Sequence, residues 1–484
     1  MNKDNTFGRL VALLFITLFA CLGLYWLPDT LFGYKIKKVD LLADIRVKPQ
    51  SFSMDSLRVM LEQPDTLEME AIQAVQDSLA LKAGLDSAAL VLRDSLYRAI
   101  YSVQEADSLG IHIEDYSTGH IGLKRFFDAL AQVDKLGRPV RIAFMGDSFI
   151  EGDIMVADFR NELQKLYGGR GVGFVPIQSK VAQFRPTVEQ KSDGWKTWSM
   201  LNDREEQYTI SGMVFEPVKE GASVSVKTVK RYPALEEFSS LKLLYEQNVA
   251  TGVELSYNGR EDTLRQQLPT TSLITQFEIK DAFKQATFRF NNVEGFRALG
   301  LAMEDTDGIV VDNFSLRGNS GLILQRLSID YCHALNEIRP YDLIIMQYGL
   351  NVVNADMLQY GWYTRRMVEI ISHMQQCFPD TDILLLGVSD RSYQENGEFE
   401  TMPAVLALLH AQRQAARRSG ISFWNVFGAM GGENSMVRFV ENNWASKDYT
   451  HLSFRGGREI ATALLEAILL EKEFYDEAEK VVNE

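Results

Sequence analysis

The sequence predicts an α/β protein whose five-stranded parallel sheet is interrupted by an all-β module. Three observations carry that reading. Five short apolar runs (VRIAFMG, GIVVDNFSL, YDLIIMQYG, TDILLLGVS and GISFWNVF) are separated by stretches with helical spacing, such as GWYTRRMVEIISHMQQC and AVLALLHAQRQAARR. Between the first and second runs, from about Phe174 to Asp307, the pattern changes to period-2 alternation. Finally, the polar residues that follow the strands are those of one chemistry, described below.

The elements follow in order. Lys3 and Arg9 precede Leu10 to Leu27, a run of 18 residues without a charge, which meets the lower limit of a membrane-spanning helix. A cleaved signal peptide competes, but its apolar core is usually shorter and ends in a small-x-small site. Here the run ends in Tyr-Trp-Leu-Pro, suited to the membrane interface. A lipoprotein site at LFAC fits poorly, with Phe19 before Ala20-Cys21 and an apolar stretch after it. The expectation is a single-pass anchor with the rest of the chain facing the periplasm or exterior; KIKK, Lys35 to Lys38, opposes it mildly. Residues 46–120, rich in Asp, Ser, Leu and Gln, read as a helical stalk. The division is therefore an anchor (1–45), a stalk (46–120), a first α/β part (121–173), an inserted β-sandwich (174–307) and a second α/β part (308–484).

Composition excludes other classes. With 484 residues, 46% of them apolar, the chain is globular, and its net charge of −15 argues against nucleic-acid binding. Cys21, Cys332 and Cys377 are too scattered for a disulfide framework, and neither a metal nor a cofactor is expected. The cluster GGRGVGF follows a helix and lacks the G-x-G-x-x-G spacing, so it reads as a C-cap and turn.

In an open parallel sheet, ligands bind beyond the carboxyl ends of the strands. Ser148 follows the first strand, Gly318 the second, Asn351 the third, and Asp448 with His451 the loop after the fifth. Those are the parts for acyl transfer. A serine hydroxyl needs a base, His451; Asp448 can accept from the other ring nitrogen and fix the tautomer. The backbone N–H groups of Ser148 and Gly318 and the Asn351 carboxamide are candidate oxyanion donors, and a side chain at Gly318 would crowd a reacting ester. The α/β-hydrolase elbow G-x-S-x-G does not fit, because Ile150 stands at its last glycine.

These blocks resemble the SGNH (GDSL) hydrolase family: Gly146-Asp147-Ser148, Gly318, Gly349-x-Asn351, and Asp448-x-x-His451. The resemblance spans roughly 121–167 and 308–470 and implies a flavodoxin-like, three-layer SGNH fold with a Ser-His-Asp esterase or acyltransferase site. Val352 departs from the acidic residue many members carry there. With its insert and anchor, the chain is similar to cell-envelope O-acetylesterases acting on peptidoglycan or polysaccharide, in which the insert resembles a carbohydrate-binding module. The implied partners are an O-acylated glycan and, for a transferase, a membrane acyl-donor protein. A glycan-binding scaffold with an idle core is the reading from another class, and a lipid esterase a third.

Other residues read as structural: Asp147 and Asp153, and the single histidines His112, His120, His333, His373 and His410, which lack metal-ligand spacing. Trp195, Trp198, Tyr208 and Tyr257 suit a sandwich core ahead of sugar stacking. Ser389-Asp390-Arg391 follows the fourth strand, within reach of a substrate.

Overall fold

A computed structural model describes residues 30–31, 34–35, 87–101, 110–247 and 249–483. Strands β1 (Thr30–Leu31) and β2 (Tyr34–Lys35) pair with each other in a unit that ends at Met60. Everything below concerns the second unit, Leu61–Glu484. The apolar run Leu10–Leu27 and most of the expected stalk lie outside the described residues. Among the described residues no helix is long and apolar enough to cross a membrane.

The central sheet contains β3 (Ile113–Asp115), β4 (Val140–Gly146), β16 (Ile309–Ser315), β17 (Leu343–Gln347), β18 (Asp382–Leu386) and β21 (Ser422–Trp424), in the order β16-β4-β17-β18-β21-β3. The first five are parallel. They are the five apolar runs of the sequence, buried on both faces: Ile142, Phe144, Ile345 and Leu385 are fully enclosed. The order is that of a flavodoxin-like doubly wound sheet. Its helices fall in two packed groups, α2 (Lys124–Ala131), α3 (Val156–Tyr167) and α9 (Phe454–Asn483) in one, α4 (Ile329–Ile338), α5 (Gly361–Cys377) and α6 (Pro403–Ser419) in the other.

The sheet also has a sixth strand. β3 pairs antiparallel with β21 at the edge, and helix α1 (Ser87–Tyr101) packs on α9. Both lie in the stretch 46–120 expected to be a helical stalk. The correction has a physical basis: Arg93 is buried and paired with Glu479, and Tyr97 stacks on His120 at 3.6 Å. The end of that segment is thus part of the α/β unit.

The insert is a sandwich of two antiparallel sheets, running from β5 (Gly173–Val175) to β15 (Phe296–Glu304). One sheet has β7 (Trp195–Ser199), β8 (Met213–Pro217), β10 (Phe238–Gln247), β13 (Thr275–Phe283) and β15, with β5 on β15; the other has β6 (Glu189–Asp193), β9 (Ala222–Lys227), β11 (Thr251–Tyr257), β12 (Leu264–Leu268) and β14 (Gln285–Asn291). Alternate residues meet between the sheets, among them Leu241, Leu243, Phe288, Phe290 and Leu301. Trp195 sits in that core, edge-on to Phe290 at 5.1 Å. Tyr208 is buried with the core of the α/β unit. Trp198 is half-buried under the Lys196 ammonium, 3.3 Å from its ring, and Tyr257 is half-buried against Phe283 and Arg260.

The insert is tied to the parallel sheet by buried charge. Glu304, at the end of β15, meets Arg141 of β4 at 2.8 Å, Arg339 at 2.6 Å and Lys242 at 2.8 Å. Arg339 also holds Asp312 of β16 at 2.8 Å. The three cations hold the Glu304 carboxyl well below the usual carboxylate range against the opposing effect of burial.

Candidate active site

Strand register sets the site. Gly146, the last residue of β4, pairs with Ser315 of β16 on one side and Gln347 of β17 on the other. The loops carrying Ser148, Gly318 and Asn351 therefore leave three adjacent strands at one level. The chain returns after α7 (Val426–Ala429) and α8 (Ser435–Glu441) to bring Asp448 and His451 to the same edge.

Ser148 Oγ lies 3.1 Å from His451 Nε2, and His451 Nδ1 lies 2.8 Å from Asp448 Oδ2. Ser148 is buried, whereas the His451 and Asp448 side chains are 39% and 51% exposed. The other Asp448 oxygen, Oδ1, accepts the backbone N–H groups of Thr450 and His451, each at 3.0 Å. Partial burial opposes ionisation of Asp448, but these bonds and the one from the His451 ring outweigh it and lower its pKa. The loop thus builds its own acceptor for the imidazole. A hairpin of β19 (Ser392–Glu395) and β20 (Glu398–Thr401) braces it: Ser392 N–H donates to Tyr449 O at 3.1 Å, and Phe399 stacks on Tyr449 with centroids 3.7 Å apart. Tyr449 itself holds a left-handed backbone, φ 53°, a conformation an aromatic residue keeps only when its surroundings fix it.

The oxyanion donors divide. Among the described residues, the backbone N–H groups of Ser148 and Gly318 donate to no protein acceptor. The Asn351 carboxamide is engaged: Nδ2 donates to Asp147 Oδ2 at 2.9 Å and to Asn319 O at 3.1 Å. Both of its N–H groups thus have acceptors, so an oxyanion would have to displace one of them. Burial pushes the Asp147 carboxyl up to about 6, although the N–H groups of Phe149 and Asn351 favour its charged form. Asp147 therefore acts as the anchor of Asn351. Asn319 was not singled out in the sequence; its position next to Gly318 was the available signal.

Two glycines have local reasons. At Gly318, φ is +81° and an added Cβ would meet nothing within 4 Å. Crowding by the protein is not the constraint there; backbone conformation is. At Gly349, φ is +137° and a Cβ would approach Val388 Cβ to 2.9 Å. The remaining candidates are placed elsewhere. Asp153 is fully buried, accepting from Arg185 at 3.0 Å and Asn313 at 2.7 Å, with Arg160 at 3.3 Å, and its pKa lies below the usual range because those cations outweigh burial. Asp390 accepts Thr401 Oγ1 at 2.9 Å and Met436 N–H at 2.7 Å, holding the hairpin to α8. His333 and His373 bond backbone carbonyls at 2.8 and 2.9 Å. Among the described residues no group of three or more metal-type side chains converges.

This arrangement can take a proton from a serine, hold the resulting imidazolium, and receive negative charge on an attacked carbonyl oxygen. The fold has solved relatives. The structure of a peptidoglycan O-acetylesterase superposes with a TM-score of 0.61 at 20% identity, covering 75% of this chain and 99% of that one. The chain shares the fold of that structure. A family two carbohydrate esterase from Cellvibrio japonicus matches with a TM-score of 0.26 at 10% identity, over 60% of this chain and 99% of that one. A family 29 carbohydrate-binding module matches with a TM-score of 0.20 at 12% identity, over 29% of this chain and 91% of that one. No protein-family model and no curated protein matches the sequence.

Proposed function

We propose that the protein is a serine esterase that removes O-acetyl groups from a cell-envelope glycan. The observation that carries this reading is the relay Ser148–His451–Asp448, with contacts of 3.1 and 2.8 Å at the carboxyl edge of the sheet. Its fold likeness to an acetylesterase of peptidoglycan supports the substrate class.

In this reading His451 Nε2 accepts the Ser148 proton as Oγ attacks the acetyl carbonyl. The Ser148 and Gly318 N–H groups receive the oxyanion, joined by Asn351 once it releases Asn319. His451 then gives its proton to the sugar oxygen as the bond to the acyl carbon breaks, so the sugar leaves as a free hydroxyl and acetyl-Ser148 remains. Water, deprotonated by the same imidazole, releases acetate. The half-exposed His451 and Asp448 favour water as acceptor over a sugar hydroxyl, because solvent reaches the base directly. The transferase with a membrane donor partner is the alternative. In keeping with this reading, the N-terminal apolar run would anchor the enzyme in a bacterial inner membrane with its catalytic unit in the periplasm.

The test compares acetate release from a chromogenic acetyl ester by the wild type and Ser148→Ala, with and without a glycan acceptor. Turnover in the variant is expected to fall by at least about 10³-fold. Equal turnover by both proteins would remove Ser148 as nucleophile. Acetylated glycan as the main product would make the enzyme a transferase.

A further inference from the structure

A cavity of about 450 Å³ lies where the insert meets the carboxyl edge of the sheet, within the size range of small-ligand sites. Part of its wall is Glu151, three residues after Ser148, and part is Arg317, which directly precedes Gly318. These two side chains form an ion pair that links both loops. The insert side adds Lys180, Arg185 and Met213.

The lining of this cavity carries more cations than carboxylates. It holds three cations, Lys180, Arg185 and Arg317, against the single carboxylate of Glu151, in a chain of net charge −15. Among the described residues, Lys180 has no carboxylate at ion-pair distance. The Arg185 side chain is only 7% exposed and gives its Nε to Asp153 at 3.0 Å. Among the described residues, its Nη2 is buried with no acceptor and Asn313 Oδ1 is buried with no donor. The Asn313 Nδ2 atom is already committed to Ile150 O and Asp153. A buried donor without an acceptor is unfavourable, and a buried guanidinium nitrogen more so. Phe174 and Phe314, with ring centroids 4.9 Å apart, supply an apolar wall.

We propose that this cavity is a subsite for a carboxylate-bearing sugar of the glycan, beside the unit whose acyl group reaches Ser148. The proposal rests on the esterase reading for what happens at Ser148, and deepens it by naming the substrate class. Guanidinium groups match a carboxylate in a planar, two-point fashion. The Asn313 carbonyl needs a donor, which a sugar hydroxyl provides and a fully ionised phosphate does not. The apolar wall suits the C–H face of a pyranose ring. An acidic sugar presents all three features together.

The test uses the full chain carrying Ser148→Ala, so that ligands bind without turnover. Calorimetric titration compares O-acetylated hexuronic-acid oligomers with the same oligomers after reduction of their carboxyls to alcohols. A second series does the same with oligomers of an amino sugar bearing a lactyl ether. These arms separate the two sources of a glycan carboxylate. Reduction is expected to weaken binding about tenfold or more in at least one series. Adding Lys180→Met, at an exposed position, should remove most of that difference, and Arg185→Lys should diminish it. Equal binding of acid and reduced forms in both series overturns the subsite, and so does a preference unaffected by either substitution. Acetate release by the wild type from a chromogenic ester is read separately. Its failure with the carboxylate preference intact removes the esterase reading and leaves the subsite; turnover without the preference does the reverse.

Discussion

Charge is used in opposite ways at the two ends of β4. At its start, Arg141 enters a closed cluster with Glu304, Lys242 and Arg339, in which every side chain is at least nine-tenths buried. Beyond its end, Ser148 faces His451 and Asp448, whose side chains are 39% and 51% exposed. In the first cluster each ion depends on the others, because water cannot replace a lost partner. In the second, solvent can take over much of what a partner supplies, and the carboxylate is held mainly by N–H groups of its own loop. Buried charge therefore sets the relation of insert to sheet. Exposed charge is left free to change protonation state, which a general base requires.

That contrast gives its largest expected effect at Glu304. Glu304→Ala leaves Arg141, Arg339 and Lys242 buried against a missing carboxylate, with Asp312 still holding Arg339. A loss of about 3–5 kcal/mol in unfolding free energy is expected, measured by urea denaturation. A loss under about 1 kcal/mol would mean that water enters the junction and that the cluster does not fix the insert. Asp448→Asn should behave in the reverse way. Stability should stay within about 0.5 kcal/mol, while kcat on an acetyl ester falls about 10²-fold as the imidazole loses its acceptor. That is less than the roughly 10⁴-fold seen when a buried triad aspartate is replaced. An unchanged kcat would show that solvent alone orients His451.

The difference between the regions also explains what the sequence made legible. Apolar strands, alternation in the insert, and Ser148, Gly318, Asn351, Asp448 and His451 are all local signals, because strand ends in a parallel sheet converge by topology. The structure brings those residues to one edge. Glu304 was not legible: its partners lie 163, 62 and 35 positions away, and nothing local marks the end of β15 as buried. β3 escaped notice for a related reason, since a strand of three residues, Ile113–Asp115, has no period to detect. The engagement of Asn351 by Asp147 and Asn319 depends on side-chain geometry that spacing does not encode. Tyr449 and Phe399 meet across 50 positions, so the bracing of the catalytic loop was equally hidden.

A third kind of charged site tests whether burial or pairing is responsible for the contrast. Asp382, at the start of β18, is nearly as enclosed as Glu304 but has no cation bonded to it among the described residues; its side chain accepts the Phe126 N–H at 3.0 Å. Burial pushes this carboxyl up to about 8, with the Phe126 bond and the Arg125 charge opposing and Asp115 adding to the rise. A folded-state pKa above the unfolded value near 3.8 makes the proton stabilising. The contribution is complete below that unfolded value and is lost progressively as pH rises through the folded one, with a slope of about 1 kcal/mol per pH unit. Asp382→Asn keeps an acceptor for Phe126 and removes the ionisation. The variant should therefore lose less stability than the wild type between pH 4 and 8, as read from urea midpoints at fixed ionic strength. Parallel curves for the two proteins would mean that Asp382 ionises without penalty, and that pairing rather than burial governs the charged groups under this sheet.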